Sequence, residues 1–136
     1  MKTVLDTNVF ISGVFFKGPP YQILKAWREG RIRLLLSDEI FEEYQRVGEL
    51  LPNDYPKIDL GPFLELLAIN TEFVTPKKLK NPVCEDPDDD KFLACAIAGK
   101  SKIIISGDTH LLKVSGYEGI KVLRPRKFFD EYLDKS

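Results

Sequence analysis

The sequence predicts an α/β fold, a three-layer α/β/α sandwich around a central parallel sheet. Apolar runs of strand length at 2–5, 32–36, 102–106 and 120–123 are near-continuous rather than alternating, as in parallel strands covered on both faces. Between them lie amphipathic stretches bounded by helix-starting and helix-stopping residues. Strands and helices alternating in this way specify right-handed crossovers with helices packed on the sheet.

The first strand, 2–5, runs into Asp6-Thr7-Asn8, three small polar residues set in an apolar stretch that ends at Gly13. These types favour turns and caps, so Asp6 reads equally as a turn residue or as a functional acid at a strand's carboxyl end, where open α/β sheets form their crevices. Phe15 and Phe16 fall in a Gly-flanked loop. Gly18-Pro19-Pro20 opens a crossover helix with Tyr21, Leu24 and Trp27 inward and Gly30 as its stop. After the strand at 32–36, Ser37 or Asp38 caps a helix whose apolar stripe is Ile40, Phe41, Tyr44, Val47 and Leu51. Glu42 lies on the polar side of that wheel with Asp38 and Arg46. Glu43, three after Ile40 and four before Val47, borders the buried stripe.

Leu51-Pro52-Asn53-Asp54-Tyr55-Pro56 is a connector dense in turn formers. A helix from near Pro62 carries Phe63, Leu64, Leu67 and Ala68 inward, and 71–75 is a short strand ended by Pro76 and the basic loop Lys77-Lys78-Leu79-Lys80. The run Cys84-Glu85-Asp86-Pro87-Asp88-Asp89-Asp90 then leads into a helix with Phe92, Leu93, Ala96 and Ile97 inward. An N-cap at Asp86, a proline at the first helical position and acids in the first turn are what a helix start favours, which accounts for Asp88 and Asp89. Asp90, three before Leu93 and seven before Ile97, lies beside the apolar face. After the strand at 102–106, Ser106-Gly107-Asp108-Thr109 repeats the logic of the opening stretch and aims Asp108 at the same crevice as Asp6. A short helix at 110–114, a strand at 120–123 and a helix at 125–133 complete the fold.

The 136 residues fit one domain, 1–136, large enough to bury a core without staples. Hydrophobic residues at 43% and charged residues at 30% argue against disorder, a coiled coil or a membrane protein. The net charge of −1 hides a split between acids at 38–43 and 85–90 and bases at 28–33, 77–80 and 124–127. Such a split permits an acidic metal pocket inside a basic rim, with scattered solvated charge as the commoner reading. Lys77, Lys78, Lys80, Arg124, Arg126 and Lys127 accordingly read first as solvated surface and second as contacts to a nucleic-acid backbone. Cys84 and Cys95 lack partners at zinc-ligand spacing and read as reduced thiols. With no leader-like segment and no apolar run of ~18 residues, the expected location is the cytoplasm, without a membrane anchor.

Asp6, Glu43, Asp90 and Asp108 can meet in one cleft. Carboxylates gathered together repel unless protonated, solvated or bound to a cation, and a hard dication such as Mg²⁺ or Mn²⁺ suits an all-oxygen set. Metal-promoted attack of water on a phosphodiester then needs no amino-acid nucleophile, and Thr7, Asn8 or Ser106 can orient an acid or hold the phosphate. Coincidental surface acids are the competing explanation. His110, the only histidine, reads as a surface or packing residue, with contact to metal or phosphate as the sharper alternative.

Asp6-Thr7-Asn8, Glu43-Tyr44, Asp90 opening its helix and Ser106-Gly107-Asp108 together resemble the motifs of PIN-domain ribonucleases, in particular the VapC-like toxins of prokaryotic toxin-antitoxin systems. The likeness extends over nearly the whole chain. It implies a PIN-like sandwich and Mg²⁺- or Mn²⁺-dependent endoribonuclease cleavage of single-stranded RNA. It also implies Asp6, Glu43, Asp90 and Asp108 as catalytic and metal-binding acids, Thr7, Asn8 and Ser106 as supports, and an antitoxin or a second copy as partner. The chain departs at position 110, where relatives place another acid and this chain has His110. Two other readings are a catalytically silent PIN domain acting as a scaffold and a haloacid-dehalogenase-type phosphatase. The phosphatase wants a second acid two residues after the first, where Asn8 stands.

Overall fold

A computed structural model of the chain describes residues 1–52, 54–55 and 58–134, so Asn53 and Pro56 of the expected connector lie outside the described residues. The elements run β1 (Lys2–Leu5), α1 (Thr7–Phe15), α2 (Pro19–Arg28), β2 (Arg33–Leu36), α3 (Asp38–Glu49), α4 (Gly61–Asn70), β3 (Glu72–Phe73), α5 (Asp90–Ala98), β4 (Ile103–Ile105), α6 (Thr109–Leu112), β5 (Lys121–Leu123) and α7 (Pro125–Phe128). The strands form one parallel sheet in the order β3-β2-β1-β4-β5, the predicted architecture. The chain moves outward from β1 to β3 on one side, then returns to lay β4 and β5 on the other. Connections therefore diverge between β1 and β4 and leave a crevice at their carboxyl ends. Register puts Val4 opposite Ile104 and Leu5 opposite Ile105, so Asp6 and Ser106 leave the sheet side by side.

Successive residues Thr3, Val4 and Leu5, and likewise Ile103, Ile104 and Ile105, are all buried, as the apolar runs required. Helix α5 packs across β1, β2 and β4. Tyr44 stacks on Phe10 at 4.5 Å between ring centres, and its hydroxyl donates to the Leu5 carbonyl at 2.5 Å, which pins α3 to the end of β1. Trp27 Nε1 donates to the Asn70 carbonyl at 3.1 Å and ties α2 to the end of α4.

Four local expectations are corrected. The stretch after Asp6 is helix α1, buried at Val9, Phe10, Ile11, Val14 and Phe15. A helix covered on nearly every side has no polar face to betray its period. Phe15 is thus in the core while Phe16 is exposed, both edge-on to Tyr55. The third strand shrinks to Glu72–Phe73, an exposed edge, and Tyr21, Ala68 and Ile97 face solvent rather than the core. The terminal helix changes after Phe128 to a π turn over Phe129–Leu133. Among the described residues no helix is long and apolar enough to cross a membrane.

Candidate active site

Asp6 and Ser106, neighbours in space and 100 residues apart in sequence, are the floor of the crevice. The Ser106 hydroxyl donates to Asp6 Oδ2 at 2.6 Å and accepts from the Asp108 amide at 2.9 Å, so one buried side chain fixes both acids. Asp108 caps α6 by accepting the His110 amide on Oδ1 at 2.8 Å. Ser106 is fully buried and Thr7 nearly so, and each hydroxyl donates to a carboxylate, of Asp6 and Glu43 respectively. Asn8, on the first turn of α1, is exposed and free to meet a ligand.

Glu43 reaches the same edge because Tyr44, the next residue, is anchored to β1. Its Oε2 accepts from the Thr7 hydroxyl and its Oε1 from Lys91 Nζ at 3.0 Å, with Arg46 at 3.7 Å. Lys91 is the residue that sequence reasoning missed. Only 4% of its side chain is exposed, and its ammonium also donates to the Asp88 carboxylate at 2.9 Å and to the Asp88 carbonyl at 3.0 Å. Burial pushes the Lys91 pKa down, but the hydrogen bonds to Asp88 and Glu43 outweigh it and hold the ammonium above the ordinary lysine value.

Asp90 is not brought to this crevice. Its Oδ2 accepts the Val83 amide at 3.0 Å and its Oδ1 the Cys84 amide at 2.7 Å, so both oxygens tie down the preceding loop. Its neighbour Asp89 lies by Asp108: ligand atoms of Asp89, Asp108 and His110 lie within 4.8 Å of one another. Every residue of α5 from Lys91 to Ala96 is buried, so the helix wheel does not separate Asp89 from Asp90, and Ile97, on which the reading of Asp90 leaned, is 42% exposed.

The acids also perturb one another electrostatically. Burial pushes the Asp6 carboxyl above its ordinary value; hydrogen bonds from Ser106 and the Thr7 amide oppose this, and the charges of Asp108 and Glu43 add to it. Asp89 is pushed up to about 6, by burial first and then by Asp108, Asp86 and Asp6. Burial lifts the Cys84 thiol to about 12, with Asp90 reinforcing it, which leaves this nearby cysteine inert as a nucleophile. Partly open carboxylates that repel one another, with an imidazole alongside, fit a hard dication bound through oxygen; nothing in the set fits a thiolate-bound metal.

Residues 2–110 match the family profile described as PIN domain. The chain is also similar to an uncharacterized protein of Methanocaldococcus jannaschii, 33% identical over 147 residues that cover 97% of this chain and 92% of that protein.

Proposed function

The chain belongs to the PIN-domain family, whose members are generally nucleases, and from that premise we propose that it is a metal-dependent endoribonuclease acting on single-stranded RNA. The observation that carries the proposal is a linked set of acids beside β1 and β4: Ser106 joins Asp6 to Asp108, Asp89 lies by Asp108, and Glu43 accepts from Thr7, the residue after Asp6. Asp6, Asp89 and Asp108 would hold Mg²⁺ or Mn²⁺, with His110 as an adjoining nitrogen donor, so Asp89 replaces Asp90 in the set read from the sequence. The ion supplies Lewis acidity for attack of water on a phosphodiester. Ser106 keeps Asp6 and Asp108 at fixed separation, Thr7 and Lys91 fix the orientation of Glu43, and Asn8 offers an exposed amide to the substrate.

The biological setting proposed is that of a toxin in a toxin-antitoxin pair. Exposed Leu50, Leu66 and Ile69 give an antitoxin helix or a second copy of the chain apolar surface to cover. The free, buried thiols of Cys84 and Cys95 suit a reducing cytoplasm. Purified protein should cleave labelled single-stranded RNA with Mg²⁺ or Mn²⁺ and lose that activity in EDTA and in Asp6→Asn. Cleavage that persists in Asp6→Asn, in a preparation free of contaminating nuclease, overturns the proposal.

A further inference from the structure

We propose that a groove between the 76–82 connection and α5 carries the phosphate backbone of single-stranded RNA at the acid cleft, with Lys77, Lys78 and Lys80 as the phosphate contacts. The inference rests on the nuclease reading above. The groove holds about 620 Å³ and is lined by the basic loop and by the first turns of α5, including Asp90 and Lys91. Lys91 also donates to Glu43, so one side chain lines the groove and touches an acid of the crevice.

Sequence alone put solvated surface ahead of contact to a nucleic-acid backbone for these lysines; their placement reverses that order. Leu79 is partly buried against the core while Lys77, Lys78 and Lys80 on either side of it are exposed, so the loop is anchored by its one apolar residue. Pro76 and Pro82 bracket it and restrict its backbone. Ammoniums held out by a stiffened loop lose less freedom on binding than those on a mobile one. Three exposed lysines, Lys77, Lys78 and Lys80, line the groove against two carboxylates, Glu39 and Asp90, while the Lys91 ammonium is already paired with Glu43 and Asp88, which leaves a positive balance of one in a chain whose net charge is −1. The Asp90 carboxylate is moreover engaged by two backbone amides. The lining contains no aromatic and no amide side chain among the described residues, so it is suited to backbone charge and not to reading bases.

The test is fluorescence anisotropy of a short fluorescein-labelled single-stranded RNA in EDTA, with affinity followed against salt concentration. Each lost phosphate contact lowers the slope of log affinity against log salt by about 0.7, so Lys77→Gln/Lys78→Gln/Lys80→Gln should lower it by about 2 and weaken binding at least about tenfold near 0.1 M salt. A control of equal charge change, Lys25→Gln/Arg28→Gln/Lys121→Gln, removes exposed bases that do not line the groove and should leave the larger part of the slope. Should the triple variant be poorly folded by circular dichroism, the three single variants serve, each expected to lower the slope by about 0.7. An unchanged slope and affinity in the lysine variants, with the original chain still cleaving RNA, overturns the groove and spares the nuclease reading. A chain that neither binds nor cleaves RNA overturns the nuclease reading itself.

Discussion

Lys91→Met removes a cation from the candidate active site while keeping most of the side chain's bulk. The lost ammonium donates to Glu43 Oε1 at 3.0 Å and to Asp88 at 2.9 and 3.0 Å. The Asp88 side chain is 61% exposed, so its share of the pairing is worth at most about 1 kcal/mol. Glu43 is only 14% exposed and would be left largely desolvated without its main partner. Breaking a fully buried pair costs about 3–5 kcal/mol; because Glu43 keeps the Thr7 hydroxyl and a distant Arg46, we expect about 2 kcal/mol. For a chain of this size that corresponds to a fall in Tm of roughly 6–10 °C. Urea and thermal unfolding in EDTA measure it, and Glu43→Gln in both backgrounds closes a double-mutant cycle. Glu43→Gln should be far less harmful, or favourable, once Lys91 is gone. With Mn²⁺ present the deficit should shrink, because the variant offers the ion one more uncompensated carboxylate. An unchanged Tm together with zero coupling in the cycle refutes the pairing and the reasoning built on it.

Asp89→Asn should lower RNA cleavage at least about a hundredfold with little loss of stability. Asp90→Asn should retain cleavage and cost about 1–3 kcal/mol, since an amide oxygen cannot replace a carboxylate accepting two backbone amides; the reverse pattern in a cleavage assay with urea titrations returns the role to Asp90. Ser106→Ala should weaken Mn²⁺ binding by roughly 10- to 100-fold in calorimetry, because Asp6 and Asp108 both lose their positioning partner; unchanged binding would mean that the hydroxyl positions nothing. The raised pKa values of Asp6 and Asp89 make a pH prediction for the metal-free chain. A carboxyl whose folded pKa is raised stabilises fully below its unfolded value, near 4, and loses that contribution as pH rises through the folded value, about 6 for Asp89. Stability in EDTA should therefore decline between about pH 4 and pH 7, and decline less in Asp89→Asn, whereas metal binding tightens over the same window because it needs the deprotonated acids. Identical pH profiles of urea midpoints for the two proteins would contradict this.

The sequence by itself determined the alternation of strands and helices, the parallel sheet, and the arrival of Asp6 and Asp108 at adjacent strand ends. Each of these follows from local pattern: unbroken apolar runs require cover on both faces, and a polar residue directly after such a run must leave the sheet at its edge. The placement of Glu43 at the edge of the buried stripe was legible as well, because its wheel was fixed by Ile40, fully buried, and Val47, partly buried. Helix α1 was not, since burial on nearly all sides erases the polar stripe that marks a helix. Tertiary structure alone decided the placement of Asp89 and Asp90. Adjacent residues on a helix point about 100° apart, so the outcome hung on the phase at which the tight turn Pro87–Asp89 enters α5 and on the Val83 and Cys84 amides that capture Asp90. It also decided the fate of Lys91. A lysine in a helix reads as solvent-facing until Glu43, 48 residues earlier, and Asp88 supply the charges that make its burial tolerable.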